Sequence, residues 1–178
     1  YGDHRNLHSF PTRRSSDLIH AMLGGEGWLL PEIAGEIYRD AGPLYYWLGA
    51  GLASALGWLM PVHDAARLAS SLFCAATLYW TALAARRLYG ESAFAPAILL
   101  GMGSLGLVVH AHETQPALAQ IAGVALCLAG TVNIGRQGLQ AGLQAGLGIA
   151  LAFLAGGLSG LVLTLPIVLA APDRKSVV

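Results

Sequence analysis

The chain has 178 residues, of which 55% are hydrophobic and 11% charged, with a formal net charge of zero. A soluble domain carries about 25% charged residues, and a fold of this length still exposes much of its surface, so an ordinary water-soluble domain is excluded as the parsimonious class. Zero net charge offers no footprint for a nucleic-acid partner, and the 23 glycines suit membrane helices, where small residues let backbones approach.

Residues 1–18, YGDHRNLHSFPTRRSSDL, are polar and unlike the apolar runs of the chain beyond them. They resemble the conceptual translation of a sequencing-library adapter, and 173–178, DRKSVV, resemble the same adapter read from the other strand. Both ends are therefore expected to be extraneous, and the segment 19–172 to be a fragment open at both ends. Its remaining cations are Arg39, Arg67, Arg86, Arg87 and Arg136, with no lysine.

Residues 19–42 mix acids with Gly and Pro and predict an extramembrane loop, with one short helix around Ile19–Leu23. Residues 43–60 are apolar but just short of a spanning length. Tyr45, Tyr46, Trp47 and Trp58 crowd the two ends of this run, as aromatics do at a membrane interface. A helix lying along the outer interface is preferred there over a spanning one. Residues 65–88 predict a spanning helix closed by Arg86 and Arg87. Further apolar runs cover about 92–109 and 117–135, and 138–171 is long enough for a tight helical hairpin. Its opening, GLQAGLQAGLG, places Gly138, Gly142 and Gly146 on one stripe, by default a packing face, with Gln140 and Gln144 on a neighbouring stripe. Cys74 and Cys127 lie in apolar runs with no CxxC spacing and are expected to be buried thiols.

Orientation follows from the arginines. Arg86 and Arg87 close one helix, and Arg136 falls on the same side two crossings later, which the positive-inside rule makes cytoplasmic. His63, Asp64, Arg67, His110, His112, Glu113 and Gln115 then lie outside, together with the 19–62 loop. The expected organisation is an external loop over 19–62 and transmembrane helices over 63–172, an all-α polytopic transmembrane fold.

Between Trp28 and Trp47 the segment resembles the first external loop of bacterial GT-C glycosyltransferases of the dolichyl-phosphate-mannose-protein mannosyltransferase and aminoarabinose-transferase type. Trp28, Pro31, Gly35, Tyr38, Tyr46 and Trp47 fall at the family's offsets without a gap. The stretch from His63 to Ser70 resembles the family's A-A-R-L-x-S helix start, and Ala85 to Gly90 its cytoplasmic turn. The resemblance is specific over about 20–70 and is otherwise a hydropathy pattern. It implies a GT-C-like fold with interfacial helices in the loop, a polyprenyl-phosphate-sugar donor and a lipid or protein acceptor. It also implies a divalent metal near the loop and a place in a bacterial inner membrane, with the polar loop on the periplasmic side.

The departures are specific. The family's D-E pair, which holds the catalytic acid, would lie upstream of Met22, where adapter-like sequence stands. Its Glu-Lys pair falls on Asp40 and Ala41, a second acid falls on Gln115 beside Glu113, and a T-K-G motif falls on Ala155, Gly156 and Gly157.

A carboxylate in such a site activates the acceptor or stabilises charge at the anomeric carbon, and the lipid phosphate needs a cation or metal. The substrate-binding candidates are Tyr38, Asp40, Arg67, Glu113 and Gln115, and the metal candidates Asp40, His110 and His112. Each has a plainer role. The H-x-H-E run suits interfacial histidines in water, because it lacks the spacing of H-E-x-x-H. Arg67 can pair with Asp64 at i, i+3, or fork onto a phosphate. Tyr38, Tyr46 and Trp47 can be membrane anchors. The competing class is a non-catalytic transport or flippase component, which should show midplane polar groups and broken helices in repeated positions.

Overall fold

The computed structural model describes residues 11–25, 28, 32–33, 36–37, 42–104 and 115–170. Helices dominate. They are α1 (Pro11–Leu23), α2 (Leu44–Leu56), α3 (Val62–Tyr89), α4 (Phe94–Met102), α5 (Ala117–Val132), α6 (Ile134–Gly156) and α7 (Leu158–Leu169). Between α1 and α2, Glu32–Ile33 and Glu36–Ile37 pair antiparallel, Glu32 opposite Ile37 and Ile33 opposite Glu36.

Two helices are long and apolar enough to cross a membrane, Val62–Tyr89 and Gln137–Gly156. Only 28% of the most apolar stretch of either helix is buried. Leu99, Leu100, Leu139, Leu143, Leu158, Val162 and Leu169 stand exposed around them, an apolar exterior that water would penalise. Among the described residues the runs 92–109, 117–135 and the second half of 138–171 give shorter apolar helices. At 13 residues α2 spans about 20 Å, short of a hydrocarbon core of about 30 Å, as expected for 43–60.

The short helix expected around Ile19–Leu23 forms and is longer than expected. Helix α1 starts at Pro11 rather than Ile19, runs through the stretch expected to be extraneous, and buries Leu18, Ile19 and Met22. These side chains meet Tyr45, Tyr46, Ala50 and Ala53 of α2, Ala65 and Ala69 of α3, Ala119 of α5 and Ala155 of α6 in one cluster. Tyr45 and Tyr46 are 0% and 1% exposed. They are core residues rather than the interfacial anchors that their position suggested, because the helix rotates them inward and leaves Trp58, 83% exposed, at its outer end. Their rings meet edge-on at 5.6 Å. Tyr45 also shares a 2.8 Å hydrogen bond with Ser70 of α3, and burial pushes its phenol up to about 12. Tyr45→Phe leaves the ring in place and removes one partner of this bond. The expected cost is about 1 kcal/mol in denaturant unfolding; an unchanged midpoint would show that the bond contributes nothing.

Tight antiparallel packing of α5 and α6 forms the second core. Gly123 lies on the backbone of Ala152, Cys127 on Gly148, and Gly130 on Ala145, so the contacts step down one helix as they step up the other. Ala141, Ala145, Ala152 and Ala155 are all buried on this face. The stripe expected to pack, Gly138, Gly142 and Gly146, does not. Among the described residues nothing lies within 4 Å of a Cβ placed at Gly142 or Gly146, and Gly138, at φ 20°, forms a kink with Gln137. Nearly every face of this helix carries small residues, so two stripes competed; the one closer to the middle of the span carries the contact.

Gly157, at φ 60° and ψ −134°, separates α6 from α7. An L side chain is strained there. Gly160 then lies directly against the Ala152 carbonyl, which makes the predicted hairpin. Hydroxyls within the apolar helices are satisfied by the carbonyl one turn back: Thr77 on Phe73, Thr131 on Cys127 and Thr164 on Gly160. Such back-bonding lets a polar group lie in an apolar helix without an orphaned donor. Cys74 and Cys127 are free thiols.

Candidate functional site

The two ends of the bundle differ in chemistry. At one end meet the close of the loop, the starts of α2 and α5, the α3 segment around Ala69–Phe73, and the α6–α7 turn. Gly42 donates its N–H to the carbonyl of Ala155 at 2.8 Å. A Cβ at Gly42 would collide with the Leu154 carbonyl, so only glycine permits this approach. Trp47 of α2 donates its indole Nε1–H to the carbonyl of Trp28 at 2.6 Å, which ties the loop to α2 at a second point. Gly42 thus comes to the turn where Ala155, Gly156 and Gly157 stand.

Two polar groups that sequence reasoning missed complete this end. Gln120 of α5 donates from Nε2 to Ser159 Oγ at 3.0 Å, and Ser159 donates to the Gly156 carbonyl at 2.8 Å. Gly156 lies flat against the Gln120 carboxamide. The signal available beforehand was weak: a lone glutamine one turn into an apolar run, and a serine after a Gly-Gly pair.

Arg67 lies beside Asp64, the partner expected at i, i+3. Its NH1 lies 3.8 Å from Asp64 Oδ1, and the same oxygen lies 3.3 Å from His63 Nε2. The Arg67 side chain is 64% exposed, and an exposed pair at this distance contributes little to stability. Ser70, one turn on, is buried. Gln115 stands immediately before Pro116 and α5, where its carbonyl accepts the Leu118 N–H at 3.1 Å. Its end of α5 shares a hydrophobic cluster with Ala65 and Ala69 through Ala119, so the Arg67 and Gln115 segments lie toward one end of the bundle. Tyr38, Asp40, His110, His112 and Glu113 lie outside the described residues. Among the described residues no group of three or more His, Cys, Asp or Glu side chains is placed to hold a metal ion.

The opposite end carries arginine. Arg86 closes on Glu91, with Nε and NH2 at 2.8 and 2.7 Å from Oε1. Gly90, at φ 97°, makes the bend between them and donates its N–H to the Arg86 carbonyl at 2.9 Å. Arg87 reaches across to two helices. Its NH1 donates to the Ala129 carbonyl of α5 and, at 3.1 Å, to Gln144 Oε1 of α6. Gln144 therefore has an interhelical partner, while Gln140 stays exposed. In the turn from α5 to α6, Asn133 donates to Gln137 Oε1 at 2.7 Å.

Comparison of the chain with protein-family models, with curated proteins and with solved structures returns no match.

Proposed function

We propose that the chain is part of a polytopic integral-membrane glycosyltransferase of GT-C type. It would transfer a sugar from a polyprenyl-phosphate-linked donor to a lipid or protein acceptor on the external face of the membrane. The observation that carries this is the seating of the loop on the α6–α7 turn. Gly42 lies two residues past Asp40 and binds Ala155. The family-like loop and the family's T-K-G position, distant in sequence, are thus neighbours at one end of the bundle. The Arg67 and Gln115 segments share that end, and the arginine-rich end lies opposite, which suits an outer polar face and a cytoplasmic basic one. Asp40 is the acid of this site, with Tyr38, Glu113, Gln115 and Arg67 toward the substrate. Asp40, His110 and His112 would hold a divalent ion if one takes part.

Membranes containing the complete gene product should move labelled sugar from a polyprenyl-phosphate donor to an acceptor. Asp40→Ala should lower the rate about tenfold or more, the loss of one charge-assisted contact. Undiminished transfer in that variant removes Asp40 from the site. A transport role is favoured by one observation, the break in α6 at Gln137 and Gly138, since transporters use broken helices. Donor movement across proteoliposomes without any transfer would select that role.

A further inference from the structure

Arg87 is charged, partly buried and lacks an acidic partner among the described residues. Its NH1 is taken by two neutral acceptors, the Ala129 carbonyl and Gln144 Oε1. The acid nearest in sequence, Glu91, is engaged by Arg86 instead. Among the described residues, no acceptor meets the Nε and NH2 donors of Arg87. The amide Nε2 of Gln144, beside it, is buried with no hydrogen-bond partner among those residues. A guanidinium held from two helices with its remaining donors open is pre-organised, so little side-chain freedom remains to be lost on binding. Held at the end of a 28-residue apolar helix, it sits where lipid headgroups lie.

We infer that Arg87, fixed by α5 and α6, forms a binding site for a phosphodiester, the headgroup of an anionic phospholipid. The phosphate oxygens accept from the remaining edge of the guanidinium, as arginine's fork allows, and neutralise a charge that no acidic side chain among the described residues pairs with. Gln144 holds the guanidinium in place rather than touching the lipid, since its oxygen is the atom that accepts from NH1. This site lies at the opposite end from the proposed sugar-transfer face and does not depend on that function.

The test uses the protein in nanodiscs of phosphatidylcholine doped with phosphatidylglycerol, with native mass spectrometry of retained lipid and Tm as readouts. Phosphatidylglycerol should be retained over phosphatidylcholine and should raise Tm. Arg87→Gln should weaken retention about tenfold or more, the loss of a charge-assisted hydrogen bond. Arg87→Lys keeps the charge without the fork and should fall between. Should Arg87→Gln fail to fold, the lysine variant still decides: retention equal to that of the wild type overturns the forked contact. Arg86→Gln should retain the lipid, because Arg86 is already paired with Glu91. Equal retention of both lipids, or equal loss in the Arg86 and Arg87 variants, overturns the site. Millimolar inorganic phosphate reproducing the Arg87-dependent rise in Tm overturns the lipid source.

Discussion

Gly148→Leu should destabilise the protein by about 3 kcal/mol or more, whereas Gly142→Ala should leave stability unchanged or raise it. The two glycines lie in one helix, and composition does not separate them. A Cβ at Gly148 would lie 2.6 Å from the Cα of Cys127 and nearer still to its nitrogen. Those are backbone atoms of a facing helix and cannot rotate aside, so α5 and α6 must part. Separating them also loosens Gly123 from Ala152 and Gly130 from Ala145, which share the face. Overpacking of a tight core costs about 1–3 kcal/mol and occasionally more; a leucine against backbone belongs at the upper end. At Gly142 there is open space, and alanine favours helix over glycine by up to about 1 kcal/mol. Unfolding of the purified protein in mixed micelles titrated with denaturing detergent measures both. The packing is wrong if Gly142→Ala is the more damaging change.

Arg87→Leu should cost about 2 kcal/mol, and most of that should vanish when Gln144 is also made leucine. Removing the guanidinium alone strands the Gln144 oxygen, whose amide nitrogen is already buried without a partner among the described residues. A buried polar group left unpaired costs about 1–3 kcal/mol, while removing both partners is close to neutral. Interhelical hydrogen bonds within membranes average about 0.6 kcal/mol, so the asymmetry between single and double variants is a sharper signal than either magnitude. A double-mutant cycle should give a coupling of about 1 kcal/mol. Strictly additive effects would mean that Arg87 and Gln144 do not act together.

The hydropathy runs were legible because burial in an apolar medium acts on each residue independently of its neighbours. Thus 65–88 and α3 agree within a few residues, and the hairpin within 138–171 breaks where two glycines stand together. Polarity was less informative about the loop. Helix α1 extends back through a hydrophilic stretch because Leu18, Ile19 and Met22 find α2 and α3 to cover them. Tyr45 and Tyr46 were misplaced for a related reason. Aromatics near a helix end suit a membrane interface and a protein core equally well, and only the rotation of α2 selects the core. Within the candidate site, the expectation that Arg67 and Gln115 share an end followed from counting crossings. The bond from Gly42 to Ala155 had no local signal, since it joins backbone groups more than a hundred residues apart.

By itself the sequence determined the class: largely helical, poor in charge, with an apolar exterior and an arginine-bearing end. These properties are sums over residues. Tertiary structure decided which small residues touch, which aromatics are buried, and which partner each arginine takes. Arg86 and Arg87 are adjacent and chemically identical, yet one closes on Glu91 and the other on Ala129 and Gln144. On α6 the same chemistry recurs along two stripes, and contact goes to the one whose backbone can approach α5. Close approach is a relation between two surfaces, so neither helix carries it alone.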